Sequence, residues 1–431
     1  MKKKKFIDLL YIIAFKILLE LSYVYFVFEY FEYAGYKLDI NCIKLVESYI
    51  IIIILYFFLP YTDDKPSSIV LKILYVLMIL PMSSYYYLTN NIAIYYYAFV
   101  FSFFLTIITI LIVPSFQIRK RFKESNMILV LFFTLIIFGT YTFLLLQKGI
   151  PSTKAFNLTE VYEIRGSVES SLYAYPLAWL SNVINCFLIG YFWYRRKYFF
   201  LITIFLLQIL LFLYVGEKSY LLAPFEVLVI VVCLNRYKFM RVMLVGLSSL
   251  IAVSFLLSSI DVTKLPSSLF VRRVLYAPAA ISYHYYDYFE KNPYTYYSQS
   301  KLGLGLLENP YANSSGKGIA EMMGNLYSVS DDNHMNTGYL GDAYKNMGIL
   351  GMIINSFILG VILVIADSVS KDIKLSIAIT AIIIPIQKLI NGALLTSLLT
   401  SGLLIGLIIL WLYKCNTKMC LRNYPLKCFR T

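Results

Sequence analysis

The chain has 431 residues, 60% of them apolar and 14% charged. Soluble globular domains carry roughly 25% charged residues, so this composition excludes one and describes a protein that crosses a membrane many times. A net charge of +14 suggests nucleic acid when the chain is soluble; here the basic residues sit in short turns between apolar runs, and no nucleic-acid partner is expected.

Lys2 to Lys5 precede a long apolar run with no small-residue cleavage site, which predicts a retained first helix rather than a cleaved signal. Apolar runs of about 20 residues mark spanning helices. Twelve are predicted, at 6–28, 42–60, 69–88, 92–114, 126–146, 172–192, 198–215, 220–234, 242–260, 346–366, 375–391 and 394–413. The eighth is short. The eleventh contains Pro385 and Lys388 and is expected to be broken or re-entrant, which surrounding helices tolerate. With the N-terminus in the cytoplasm, Lys2 to Lys5, Lys65, Arg119-Lys120-Arg121, Arg195-Arg196-Lys197, Arg236, Lys238, Arg241, Lys371, Lys374 and the basic tail all fall inside. The short outer connections keep only Lys37, Lys148, Lys154, Arg165 and Lys218. This alternation is the positive-inside pattern, and it predicts that both termini are cytoplasmic. No internal repeat or second soluble domain is visible, so 1–431 reads as a single integral membrane domain. The six cysteines lack the close pairs of a zinc site, and free thiols with no metal are expected.

Three outer segments stand out: 147–171, the tight turn Gly216-Glu217-Lys218-Ser219, and the long polar stretch 261–345. Charges at a membrane face are costly and usually functional. Glu217 and Lys218 are therefore either a site or a solvated turn with snorkelling ends; Gly216 would admit a close backbone or ligand. Arg272 and Arg273 follow Pro266-Ser267-Ser268, and either serine suits the cap of a helix running through Tyr276. Adjacent arginines diverge by about 100° on a helix, so one is expected to face a membrane-side cavity and the other solvent. Their guanidinium forks suit phosphate oxygens, with headgroup anchoring as the alternative. The aromatic belt from Tyr283 to Tyr297, Tyr286 included, suits either a membrane interface or the stacking of a sugar. Asn336 or Thr337 is expected to cap a helix entering the membrane, leaving N–H groups suited to an anion. Asp342, one turn above Lys345, is a candidate general base or an ion-pair partner. His334 and His284 are the two groups that titrate near neutrality. No nucleophilic triad or Walker-type glycine loop appears.

These residues carry a resemblance to the O-antigen and capsular repeat-unit polymerases of bacteria (Wzy-type), which are related to the O-antigen ligases. Gly216-Glu217-Lys218-Ser219 resembles the family's Gly-x-Arg turn, with lysine for arginine. Arg273-Val274-Leu275-Tyr276-Ala277-Pro278 followed by Tyr285-Tyr286-Asp287-Tyr288-Phe289 resembles its arginine and aromatic stretch. Asn336-Thr337-Gly338-Tyr339-Leu340-Gly341-Asp342-Ala343-Tyr344, with Gly348 and Gly351, resembles the segment that ends its loop. Counted back from those two glycines, the ligase histidine position holds Thr337, and His334 lies three residues too early, which favours polymerase over ligase. Some polymerases pair an outer-loop arginine with a glycine at fixed spacing; that pattern is absent, and Arg165 corresponds by position only.

The resemblance implies an all-helical, GT-C-like glycosyltransferase with about twelve spans and one long extracytoplasmic loop, lying in a bacterial cytoplasmic membrane. It implies a substrate of oligosaccharide repeat units on undecaprenyl pyrophosphate and no cofactor. Membrane lipids, a chain-length regulator and a flippase are the implied partners. The implied substrate-binding residues are Arg165, Lys218, Arg272, Arg273, Tyr286 and Asn336; Glu217, Asp342 and His334 compete as catalytic base. A ligase-like lipid-sugar transferase and a repeat-unit flippase are the alternatives, although a flippase would need charges lining a midplane cavity, and Lys16, Lys44, Lys72 and Lys388 read as lying mostly near helix ends.

Overall fold

A computed structural model describes residues 2–116, 118, 125–151, 155, 174–236, 238–260, 264–300, 307–312, 318–328 and 334–413. Among the described residues the regular structure is entirely helical. In chain order the helices are α1 Lys5–Ala34, α2 Cys42–Phe58, α3 Pro66–Leu88, α4 Ala93–Ile112, α5 Asn126–Lys148, α6 Ala174–Tyr194, α7 Tyr198–Val215, α8 Lys218–Arg236 and α9 Phe239–Ser258. The polar stretch contributes α10 Ser268–Tyr276, α11 Ala277–Phe289 and α12 Ile319–Tyr327. Then come α13 Tyr339–Val369, a broken segment at 375–390, and α14 Leu394–Leu412.

Nine of these helices are long and apolar enough to cross a membrane: α1, α3 to α7, α9, α13 and α14. The protein is a multi-pass membrane protein. The other three predicted spans are helical: α2 has 17 residues, α8 carries Glu226 and Pro224 in its interior, and 375–390 is split into four short pieces. The break expected around Pro385 is therefore present.

Packing separates two ends. At one end Tyr56 donates to the Lys5 carbonyl at 3.1 Å, and Asp8 pairs with both Lys238 and Arg241. There too Asp367 accepts from the Ser67 amide (2.9 Å) and hydroxyl (2.6 Å), closing the start of α3. At the other end Tyr23 donates to the Lys37 carbonyl at 2.7 Å, and Lys148 donates to the Tyr214 carbonyl at 3.1 Å. Turns predicted to share a membrane face thus lie together.

Two interior features follow from local chemistry. Pro224 has no N–H, which leaves the Tyr220 carbonyl without its helical donor. Gln208 of α7 fills the gap, donating to that carbonyl at 2.9 Å and to Ser181 at 2.6 Å. Lys16, read from sequence as lying near a helix end, instead sits inside α1 with no exposed surface. It donates to Glu20 at 2.6 Å and Ser84 at 3.1 Å, beneath the rings of Tyr49 and Tyr87. Tyr49 in turn donates to Glu20 at 2.7 Å.

Candidate functional site on the loop-bearing face

The predicted span 346–366 begins earlier than its apolar run. α13 starts at Tyr339 and breaks at Met347 (φ −149°, ψ 23°) and Gly348 (φ 61°, ψ −148°). The break takes the carbonyls of Lys345 and Asn346 out of the helical ladder, and buried carbonyls need donors. A tyrosine-rich segment supplies them: the Thr295 amide donates to Lys345 and the Tyr296 amide to Asn346, both at 3.1 Å. The Asn346 side chain fixes the same segment, accepting from the Thr295 hydroxyl (2.6 Å) and the Tyr297 amide (2.9 Å). Tyr296 and Tyr297 reach this position with φ of 46° and 61°. A Cβ at Gly348 would lie 2.7 Å from the Tyr294 hydroxyl, so glycine is required there twice over, by conformation and by space. The long polar stretch is thus a roof pinned to a broken helix.

Several expected roles change on this framework. Neither Asn336 nor Thr337 caps α13. The N-cap is Gly338, without a side-chain cap, because a Cβ there would meet the Ile390 carbonyl at 2.5 Å. Thr337 is buried and its hydroxyl has no hydrogen-bond partner among the described residues, while Asn336 and His334 are exposed just before the helix. Asp342 is the ion-pair partner of Lys345 at 2.5 Å and also accepts from the Asn346 amide at 3.2 Å. Tyr286 is 3% exposed; it packs among Tyr95 and Tyr344 and donates to Glu290 at 2.8 Å. It is a core residue, not a surface for sugar stacking.

The arginine pair diverges as helical geometry demands. Arg272 turns inward over the Phe31 ring at 4.3 Å and donates to Ser268 at 2.9 Å. Arg273 is exposed between the exposed side chains of Phe270 and Val274, the setting of a headgroup anchor. Ser267 does not cap this helix; its hydroxyl donates to the Ser254 carbonyl at 3.1 Å and ties α10 to α9. Arg165 lies outside the described residues, as does most of 147–171.

The turn at 216–219 opens a second part of the site. Gly216 ends α7 with φ 74° and donates to the Phe212 carbonyl at 2.7 Å. Lys218 is exposed and Glu217 half-buried. Ser219 donates to Glu217 at 3.4 Å and accepts from Lys388 at 3.4 Å. One residue before Lys388, Gln387 donates to Glu226 of α8. Two residues after it, the Ile390 carbonyl packs on Gly338. The sidewall continues to α10 and α11: Leu275, Pro278, Ala279 and Ser282 line one small cavity with Gly338, Leu340 and Ile390.

Sequence reasoning did not select Glu226, Gln387 or Asp287, and it noted Lys388 as a charge in the broken eleventh run and near a helix end, not as a site residue. A carboxylate inside an apolar run was the available signal for Glu226. Asp287 is held above the ordinary carboxylate range by burial, reinforced by Glu290. His284 stacks on Tyr327 at 4.4 Å, and burial, aided by Lys37, lowers its pKa to about 4. Among the described residues no cluster suited to a metal occurs, and Cys42, Cys186 and Cys233 are free thiols.

Comparison with models of known families, with characterised proteins and with solved structures gave no match.

Proposed function

We propose that this protein polymerises oligosaccharide repeat units carried on undecaprenyl pyrophosphate, at the outer leaflet of a bacterial cytoplasmic membrane. The proposal includes twelve crossings in a GT-C-like arrangement, counting α2, α8 and 375–390 with the nine longer helices, and cytoplasmic termini. One observation carries the reading beyond sequence likeness. The three stretches that resemble the polymerases are far apart in the chain, yet all meet around Gln387–Ile390: Ser219 through Lys388, Gly338 through Ile390, and Leu275 to Ser282 through the shared cavity.

In the reaction, a hydroxyl of the acceptor unit attacks the anomeric carbon of the donor glycan. The new C–O bond forms as the bond to undecaprenyl pyrophosphate breaks; the hydroxyl proton passes to a base, and the diphosphate departs with the bonding electrons. Cations at the leaving group stabilise the charge that develops there, a task for Lys218 and Arg272, with Arg165 and Arg273 as the outer candidates. Glu217, half-buried in the same turn as Lys218, is the base we assign; Asp342 is bound to Lys345 and Asn346, and His334 stands exposed before α13.

The test uses lipid-linked repeat units accumulated by cells lacking the protein. Purified protein in liposomes, given only these units, is expected to form a ladder of chain lengths without added nucleotide or metal. Single transfers to a different acceptor would replace this reading with a ligase, and units trapped on the cytoplasmic leaflet of the deficient cells would replace it with a flippase.

A further inference from the structure

The exposed ridge of α8 is apolar at Leu222 (59% exposed), Phe225 (52%) and Val229 (60%), as suits a helix facing lipid. Glu226 lies beside that ridge and is half-buried, four residues after Leu222 and three before Val229. A carboxylate within a membrane helix is costly unless it has polar company. Gln387 donates to it, and Lys388 acts on it electrostatically. Yet among the described residues no carboxylate lies within ion-pair distance of the Lys388 ammonium. Its one hydrogen bond among those residues is the long contact to Ser219 at 3.4 Å, while an ammonium carries three donors. Lys388 is half-buried, on a single turn whose next carbonyls, those of Leu389 and Ile390, are wedged against Gly338. The cation is thus held in place, incompletely coordinated, and beside a lipid-facing surface.

We infer that Lys388 and Ser219 form a binding site for the diphosphate of a polyprenyl lipid, which enters sideways from the bilayer between α8 and the broken segment 375–390. This deepens the polymerase reading and rests on it for the identity of the lipid. Glu226 acts as the selectivity element. In its ionised form it offsets the attraction of Lys388 for singly charged phospholipid headgroups, whereas a diphosphate brings more charge and two sets of acceptor oxygens. Glu226 and Gln387 also stabilise the site by giving each other a partner.

The experiment uses the full chain in nanodiscs of phosphatidylcholine, titrated with undecaprenyl diphosphate and read by native mass spectrometry. Lys388→Met is expected to weaken binding about 10- to 100-fold, as for loss of a charged hydrogen bond, and Lys388→Arg to restore most of it. Glu226→Gln is expected to let phosphatidylglycerol compete where it does not compete with the native protein. If Lys388→Met fails to fold, judged by gel filtration and melting, Ser219→Val reads the same site and is expected to weaken binding several-fold. Unchanged binding in the folded variants overturns the inference. Displacement by inorganic pyrophosphate at equal concentration assigns the site to a soluble anion and overturns lateral entry. Displacement by phosphatidylglycerol from the native protein reduces Lys388 to a general lipid anchor, which also overturns it. Binding that depends on Lys388 but yields no glycan ladder would sink the polymerase reading and leave this site standing; a normal ladder from Lys388→Met with unchanged binding would do the reverse.

Discussion

Lys16 and Lys388 are both lysines set within helical, mainly apolar surroundings, and they are built in opposite ways. Lys16 has no exposed surface; a carboxylate, a hydroxyl and two tyrosine rings surround its ammonium, and Tyr49 engages the far oxygen of Glu20. Among the described residues Lys388 has one long hydrogen bond, and it holds a half-open position beside lipid. A closed polar network fixes helices against each other, because every buried group has a partner that only the correct packing supplies. An open one keeps capacity for something that arrives later. Charge inside the membrane is therefore not a single signal: how completely it is coordinated separates structure from function.

The largest effect expected from this contrast is on stability. Lys16→Met strips Glu20 of its counter-ion and should destabilise the protein by about 3–5 kcal/mol, the cost of breaking a buried pair from one side. Adding Glu20→Leu should recover much of that loss. Polymer formed per folded molecule should stay near the native level in both variants. A Lys16→Met protein that melts like the native one would erase the distinction between the two lysines.

A smaller effect is expected where the open cluster is braced. Gly338→Ala drives a methyl group to within 2.5 Å of the Ile390 carbonyl, a backbone atom that cannot turn aside. About 1–3 kcal/mol of overpacking strain is expected, together with reduced polymerisation, because the displaced turn carries Lys388. Gly318→Ala meets open space and should change stability by no more than about 0.5 kcal/mol. Equal effects at the two glycines would show that the turn around Lys388 is not held by this contact.

The fold was legible where one physical signal dominates. Unbroken apolar runs such as those of α4, α5 and α7 gave their helices within a few residues, and the basic turns sorted the two ends. α13 was misplaced because its first turns, Tyr339 to Asn346, are helical through contacts with α11 and the 294–300 segment rather than through apolar periodicity. The cap at Gly338 was missed for a related reason: side-chain preference pointed to Asn336 or Thr337, and the space beside Ile390 decided otherwise. In the site, adjacent arginines on a helix had to diverge, and they do. The pairing of Glu226 with Gln387 spans 161 positions, a relation that local pattern does not encode. Tyr286 carried the same composition signal as an interfacial tyrosine, and only packing shows that its ring is interior.

The smallest effect concerns pH, at the border between the closed core and the loop-bearing face. His284 on α11 stacks against Tyr327 of α12 at 4.4 Å, and burial, then Lys37, depresses its pKa from 6.5 to about 4. A histidine whose folded pKa lies below its unfolded one is neutral in the fold and binds a proton more readily when unfolded. Its contribution to stability is therefore fully present above pH 6.5 and is lost as the pH falls from there towards 4. Asp287, with its pKa raised, has the opposite dependence, so the native melting curve alone mixes the two. The useful quantity is the difference between the native protein and His284→Phe, which keeps a ring to stack on Tyr327 and cannot take a proton. That difference should favour the native protein least at low pH and shift by less than about 2 kcal/mol across the window, since one pKa unit corresponds to about 1.4 kcal/mol and the ring is partly in water. A difference that is flat between pH 7 and pH 4.5 would mean that α12 does not cover His284, and that the roof over the broken helix is more open than its contacts with α11 imply.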